Sequence, residues 1–286
     1  MSSSEAKKNW DLVIESKAKL FDLNLKEVWR YRDLLFLFVK RDFAAQYKQT
    51  ILGPLWHFIQ PLFTTLIFYF VFTRIAHIST DGLPAVLFYM TGITLWNFFA
   101  GCLNSTSNTF VANAGIFGKV YFPRLVIPVS TVFSNLIKFG IQLLLLAVLI
   151  IYYIIFRKTT LHPGYYLLLV PIVLFIMAGI GLGVGIIVSS LTTKYRDLTI
   201  LVGFGVQLLM YATPVIYPIS VLTQSGKFLM QFNPLAPLIE SFRLALLGKG
   251  DFNWLGLLYS VGFMAVVLFL GVMIFSKVEK SFMDTV

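Results

Sequence analysis

The sequence has few charged residues and a single cysteine, and each shortage excludes a class of protein. Asp, Glu, Lys and Arg make up 13% of the 286 residues, whereas soluble domains contain roughly 25%. Because 58% of the residues are hydrophobic, one soluble core cannot bury them all. The lone cysteine, Cys102, excludes an internal disulfide framework and a cysteine metal cluster. The composition therefore predicts an all-α protein that crosses a membrane several times.

The sequence also lacks the motifs of common catalytic sites. No phosphate-binding loop of the form GxxxxGKS/T occurs, because Gly118-Lys119 and Gly248-Lys249 lack the upstream glycine and the following hydroxyl. The three histidines are scattered, so no metal site is predicted, and no carboxylate lies in a proposed span. Since ion-coupled carriers commonly use membrane carboxylates, this absence is evidence against such a carrier and against a membrane-embedded acid–base enzyme.

The net charge of +10 does not indicate a nucleic-acid partner, because the basic residues cluster at the ends of apolar runs. Residues 1–25 mix polar and charged residues and lack the apolar core of a cleavable signal peptide. We expect internal segments to direct membrane insertion. Residues 1–25 are predicted to form a cytoplasmic extension, and residues 277–286 a cytoplasmic tail.

The stretch RDFAAQYKQTILGPLWHFIQP, residues 41–61, changes from a charged amphipathic segment to an uncharged apolar one. Gly53-Pro54 marks a bend at the changeover, because glycine tolerates unusual backbone angles and proline disfavours helix at the preceding residue. Within residues 26–54, apolar residues recur every three or four positions. This pattern predicts an amphipathic helix at the membrane interface. Packing against a soluble partner is the alternative.

Six apolar runs follow, each near the ~20 residues that cross a bilayer core. Six spans place both termini on the same side of the membrane. Ten of the 23 Lys and Arg residues lie in residues 1–54, so the charge bias predicts cytoplasmic termini, although the short loops alone do not support it. The runs are 55–73, 83–103, 125–156, 165–191, 198–218 and 254–276.

Lys138 is the one charged residue inside a predicted span. If that span begins at Pro128, Lys138 lies about 15 Å along the helix, near the midplane, and should face a cavity or a partner. If the span is the apolar run 139–156, Lys138 lies near the cytoplasmic boundary and extends its amine towards water. The sequence leaves both interpretations open.

Two loops have unusual compositions. Residues 108–124 are basic and aromatic, which predicts either a docking element for a cytoplasmic partner or a connector with aromatic anchors at the interface.

The external stretch 219–251 contains an uncharged piece, 228–239, interrupted by Asn233-Pro234. This piece is too short to span a bilayer and predicts a re-entrant hairpin of two short helices. An ordinary external loop is the alternative.

Several motifs occur in an order that resembles one family. Over about residues 25–286, the chain resembles the permease subunits of ABC-2 type exporters, in the branch that exports O-antigen, capsule and teichoic acid. The resemblance implies six transmembrane helices (55–276), an N-terminal interface helix, a cytoplasmic coupling helix within 108–124 and external gate helices within 219–248. The motifs are RDFAAQYKQTILGPLWHFIQP, GIFGKVYFPRLVIP, KYRDLTILVGFGVQLLMYATPVIYP, NPLAPLIESFR and FSKVEKSFMDTV.

The resemblance also implies partners and a substrate. It implies a homodimer that works with two copies of a cytoplasmic ABC ATPase, which binds ATP and Mg, while this chain carries no cofactor. The substrate would be a lipid-linked polysaccharide, O-antigen first, moved from the cytoplasm to the outer side of a bacterial inner membrane. Membrane lipids are the other expected partners. Export of teichoic acid, capsule, a drug or a small lipid is the alternative, and a membrane glycan-processing enzyme is a further one.

Two groups of site residues concern the cytoplasmic side. Cationic contacts for a lipid pyrophosphate at the cytoplasmic entrance are assigned to Arg41, Lys48 and Arg124, and binding of anionic head groups is the alternative. The residues assigned to ATPase coupling lie in the basic and aromatic loop. They are Asn113, Gly115, Phe117, Gly118, Lys119, Tyr121, Phe122 and Arg124.

Two further groups concern the translocation path. Aromatic faces can pack against the apolar faces of sugar rings without fixing one hydrogen-bonding pattern, so five rings are predicted to line a substrate channel, with a lipid-facing or interfacial position as the alternative. They are Phe70, Tyr89, Trp96, Phe98 and Phe99. The external gate is predicted to contain Tyr217, Asn233, Pro234 and Arg243.

Overall fold

The computed structural model describes residues 29–48, 50–117, 122–159, 161, 164–195, 197–250 and 252–282. Within these ranges every regular element is helical, and ten α-helices follow one another. They are α1 (Arg32–Tyr47), α2 (Trp56–Phe68), α3 (Ala85–Ser107), α4 (Thr109–Phe117), α5 (Val126–Arg157), α6 (Leu169–Thr192), α7 (Leu198–Tyr211), α8 (Gln224–Met230), α9 (Ala236–Leu247) and α10 (Trp254–Phe282).

Five helical segments in the described residues are long and apolar enough to cross a membrane, with mean hydropathies of 1.5 to 2.7. The chain is therefore an all-α polytopic membrane protein, as the composition predicted. The first segment joins a short 3-10 turn, α2 and a wide π-helical turn (Tyr69–Ile75). The segments are Gly53–Ile75, Ala85–Ser107, Val126–Arg157, Tyr165–Thr192 and Trp254–Val278.

The predicted fifth span, 198–218, is helical only over α7. Its 14 residues rise about 21 Å, which is less than the ~30 Å of a bilayer core. Turns replace the helix after Tyr211, and this segment contains Pro214 and Pro218, which lack the backbone N–H that a continued helix needs. The six-span count therefore stays a prediction.

The amphipathic helix predicted over 26–54 is helical over α1 in the described residues. Leu35, Phe38 and Val39 form its buried face and pack in a cluster with residues of α4, α5 and α10. Phe36 and Leu37 expose their side chains on the other side. Gly53, with φ +49°, turns the chain between α1 and α2, at the bend that the sequence predicted.

The bundle is organised around α6, which lies between α3 and α10. Glycines two and four residues apart let both neighbours approach its backbone. A Cβ built on Gly185 would lie 2.6 Å from the Cβ of Thr106 in α3. A Cβ built on Gly183 would lie 2.9 Å from the backbone nitrogen of Leu268 in α10. These contacts place the helix axes closer than side-chain-bearing residues would allow.

This packing predicts that Gly183→Ala destabilises the chain by roughly 1–3 kcal/mol, because the added methyl meets backbone atoms that cannot move independently. Gly205→Ala in α7 is the matched control, since a Cβ there has no atom within 4 Å. The control should be neutral, or more stable by up to about 1 kcal/mol from helix propensity. Thermal denaturation of the purified chain in detergent measures both. Equal melting temperatures for the two variants would contradict the packing account.

Candidate functional site

Helix α4 forms the first half of the predicted coupling loop and is anchored to the bundle. The backbone N–H of Phe110 donates a hydrogen bond to Ser189 Oγ of α6 at 3.2 Å. Thr192 Oγ1 of α6 donates to the carbonyl of Ser107 at 3.4 Å. The Phe110 ring stacks on Phe275 of α10 with centroids 4.6 Å apart. A displacement of α4 would therefore be passed directly to α6 and α10.

One face of α4 remains open. Of the predicted coupling residues, Asn113 and Phe117 are buried, whereas Gly115 is exposed. Val111 and Ala112 share this exposed face with Gly115 and were not among the predicted coupling residues. The signal that could have found them is the i, i+3, i+7 spacing of Phe110, Asn113 and Phe117, which defines the opposite, buried face. Gly118, Lys119 and Tyr121 lie outside the described residues, and the coupling role of the loop stays a prediction.

Arg41, one of the three predicted pyrophosphate contacts, contacts other side chains of this chain. Its Nη2 donates to Asp42 Oδ1 at 2.8 Å and to Asn113 Oδ1 at 3.5 Å. Its guanidinium lies 4.7 Å from the centroid of the Phe38 ring. Arg41 therefore connects α1 to α4, with 39% of its side chain still exposed. Lys48, the residue after α1, is exposed.

Arg124 is buried, and its guanidinium lies 5.2 Å from the centroid of the Phe117 ring. Phe117 packs on Phe122 at 5.9 Å, and Phe122 packs on Phe38 at 5.7 Å. Because Arg41 lies over Phe38, one row of aromatic rings connects the two arginines. This arrangement gives both arginines a structural role, and pyrophosphate binding by them stays a prediction.

The five predicted channel rings differ in exposure. Phe70 lies in the π-helical turn and is 60% exposed, whereas Tyr89 is fully buried in α3. Tyr89 shares a hydrogen bond of 3.0 Å with Thr73. Trp96, Phe98 and Phe99 are also buried in the core of the subunit. The burial of four rings gives them a packing role within one subunit, so Phe70 is the member of this set best placed to meet a substrate.

The four predicted gate residues come together around the turn at 211–217, and three of them bind it directly. Tyr217 Oη donates to the carbonyl of Tyr211 at 3.0 Å. Asn233 Nδ2 donates to the Ala212 carbonyl and to Thr213 Oγ1, both at 3.0 Å. These bonds supply donors to groups that the end of α7 leaves without helical partners.

Pro234 contributes through its carbonyl, which accepts a hydrogen bond of 2.6 Å from Ser260 of α10. Helix α9 therefore packs into the bundle, with nearly all of its residues buried, whereas no residue of α8 is buried. The two-helix form agrees with the prediction for this stretch. Its depth in the bilayer stays a prediction.

Arg243 is the central contact of this region and is 1% exposed. Its Nη2 donates to the Val215 carbonyl at 2.6 Å, and its Nη1 forms a 3.0 Å salt bridge with Glu240 Oε1. The guanidinium lies 3.7 Å from the centroid of the Phe88 ring of α3. Burial lowers the pKa of Arg243 to about 10 and Glu240 opposes this shift, so the side chain stays charged at neutral pH. Arg243 thus joins α9, the turn and α3.

These contacts predict that Arg243→Ala destabilises the chain by roughly 3–5 kcal/mol, because it leaves a buried acceptor unpaired and removes the salt bridge. Arg243→Lys should recover only part of the loss, since one ammonium cannot reproduce the forked geometry of a guanidinium. Arg157→Ala, at the exposed end of α5, is the control and should change stability by less than about 0.5 kcal/mol. Urea denaturation in detergent measures the three variants, and an Arg243→Ala chain as stable as the control would contradict this account.

Comparison with known proteins agrees with the architecture. The chain matches the ABC-2 type transporter family over residues 33–247. It is 30% identical to the O-antigen export system permease protein RfbA of Klebsiella pneumoniae over 254 residues, which cover 88% of this chain and 94% of that protein. It is 29% identical to a protein of the same name from Myxococcus xanthus over 221 residues, which cover 77% and 82% of the two chains.

The chain belongs to the ABC-2 type transporter family, and the family resemblance inferred from the motifs is confirmed. Membership implies a transporter subunit rather than an enzyme. The five apolar helices make the chain a multi-pass membrane protein.

Proposed function

We propose that this chain is the permease of an exporter that moves a lipid-linked O-antigen polysaccharide from the cytoplasm to the outer side of a bacterial inner membrane. The names of relatives that align along most of the chain support this substrate class. The observation that supports this transport mechanism is that α4 is held to α6 and α10 on one face and is exposed on the other. A separate protein that displaces such a helix also displaces the membrane helices to which it is bound.

In this proposal the energy comes from a cytoplasmic ABC ATPase that binds ATP and Mg, with two ATPase copies serving a homodimer of this chain. Closure of the ATPase on ATP displaces α4 through Val111, Ala112 and Gly115. The Phe110–Phe275 stack passes the displacement to α10, and the Phe110–Ser189 hydrogen bond passes it to α6. Both termini of the chain face the cytoplasm in this arrangement.

The opposite end of the pathway is the hairpin of α8 and α9. Helix α9 packs against α3, α6 and α10, so a relative movement of α6 and α10 reaches the contacts of Arg243 and Asn233. Exposed rings such as Phe70 offer apolar faces on which sugar rings can slide. The hairpin acts as the external gate, closed while the turn at 211–217 keeps its hydrogen bonds.

The test of this function uses the permease co-expressed with a candidate partner, a cytoplasmic ABC ATPase from the same organism. Gly115→Arg places a bulky cation on the exposed face of α4, where a Cβ meets no atom within 4 Å. We expect it to abolish ATP-dependent export and the response of ATP hydrolysis to lipid-linked glycan, while leaving the melting temperature of the permease unchanged. Gly115→Ala is the matched control and should export at nearly the normal rate. Both activities are measured in proteoliposomes.

Two outcomes would overturn the proposal. The first is a permease that purifies without bound ATPase in mild detergent and whose lipid-linked glycan does not cross the membrane when ATP is supplied. The second is normal coupling in Gly115→Arg, which would show that the exposed face of α4 does not meet the ATPase.

A further inference from the structure

A polar cavity of about 200 Å³ lies between α2, α3 and α5. A water molecule takes about 30 Å³ in the liquid, so the space holds a group of several non-hydrogen atoms. This cavity is unusual because its walls belong to the apolar helices that cross the membrane. Its polar lining consists of His57, Gln60, Asn97, Asn135, Lys138 and Gln142.

Two nitrogen groups of this lining form no hydrogen bond with the described residues. His57 Nε2 is buried and forms no hydrogen bond with the described residues. No salt bridge or hydrogen bond joins Lys138 to any residue in the described ranges. The amides are partly satisfied, since Asn97 Nδ2 donates to Gln142 Oε1 at 3.4 Å and Asn135 Nδ2 donates to the Thr131 carbonyl at 2.8 Å. The lining therefore offers hydrogen-bond donors that the chain does not use.

The charge of the cavity favours an anion. None of the described residues that line it is a carboxylate. Asp42 of α1 is close enough to attract the Lys138 ammonium, but its carboxylate already forms a 2.8 Å ion pair with Arg41. An ammonium that forms no salt bridge inside an apolar span costs free energy, and a bound anion offsets that cost.

The position of the cavity indicates where such an anion comes from. Tyr47, the last residue of α1, packs edge-on against the His57 ring at 5.6 Å. The cavity therefore lies beside the end of the amphipathic helix, at the level where α2 begins. The candidate span that contains α2 begins at Gly53, shortly before His57, so we expect the cavity to lie near the level of the lipid phosphates. Acyl or prenyl chains can then remain in the hydrocarbon while the phosphate enters the cavity. Lys138 thus lines a cavity, and its depth in the bilayer stays a prediction.

We propose that this cavity binds the phosphate or pyrophosphate group of a lipid, with Lys138 Nζ as its cationic contact and His57 and Asn97 as neighbouring donors. A phosphate oxygen accepts several hydrogen bonds at once, which matches a lining of ammonium, imidazole and amide groups. The group can belong to a lipid-linked glycan or to an anionic membrane lipid. The first source rests on the proposed export function, and the second does not.

The test measures lipid binding to the purified full-length chain, without ATPase, by native mass spectrometry. Three probes are titrated separately: polyprenyl pyrophosphate, phosphatidylglycerol and inorganic pyrophosphate. Lys138→Gln should weaken binding of the lipid that the site takes by on the order of tenfold or more, because it removes the charge-assisted contact. Lys138→Arg should bind within a few-fold of the unmodified chain. Lys158→Gln makes the same change at the exposed far end of α5 and should leave binding unchanged.

His57→Phe provides a second variant in case Lys138→Gln folds poorly. It keeps a ring against Tyr47 and removes the unpartnered nitrogen, so we expect binding to weaken several-fold with a normal melting temperature. Lys138-dependent binding of polyprenyl pyrophosphate supports the substrate as the source. The same dependence with phosphatidylglycerol supports a membrane lipid as the source. Lys138-dependent binding of inorganic pyrophosphate, with neither lipid bound, would contradict a lipid ligand.

Equal affinities of Lys138→Gln, His57→Phe and the unmodified chain for all three probes would overturn the inference. Because no ATPase is present, this result is independent of export. A chain that binds a phosphate lipid through Lys138 but exports no glycan would contradict the proposed function alone.

Discussion

The structure depends on the close contact of α6 with α3 on one side and α10 on the other. In a bilayer, lipid tails compete with side chains for apolar surface, so helices associate through tight packing and not through a hydrophobic driving force. Gly183 and Gly185 supply that packing by removing the side chains at the two crossings. The polar end of α6 then holds the start of α4 through Ser189 and the end of α3 through Thr192. The position of α4 therefore depends on the same glycine contacts that hold the bundle together.

Arg243 and Lys138 illustrate how the surroundings of a charge decide its role. Arg243 has an acid, a carbonyl and an aromatic face around it within the chain, so its charge holds α9 in place. Lys138 lines a cavity with unused donors and without a lining carboxylate. Arg243 therefore stabilises the subunit, whereas Lys138 is the residue that we propose to bind a ligand. Both lie next to α3, so changes in helix packing would affect the contacts of α9 and the cavity together.

Hydropathy located the long helices well, as the predicted run 125–156 and the observed α5 (Val126–Arg157) show, because apolar length is a local property of the chain. The bend at Gly53 was predictable for the same reason. The burial of Tyr89 was not, since it depends on which helices become neighbours. The early end of α7 and the exposed face of α4 do carry local signals, in Pro214 and Pro218 and in the spacing of the buried residues of α4. Tyr217 and Asn233 were grouped in the prediction because of the family resemblance and not because of a local pattern. The structure brings both to one turn.

The most direct test of the central claim is a site-specific cross-link from α4. A photoreactive amino acid at Ala112, on the exposed face, is activated in membranes that contain the permease and its co-expressed ATPase, and the products are identified by mass spectrometry. The account predicts a cross-link to the ATPase whose yield changes when ATP is added. Cross-links to lipid alone, or an ATPase cross-link with a yield indifferent to ATP, would contradict the claim that α4 receives the movement that drives transport.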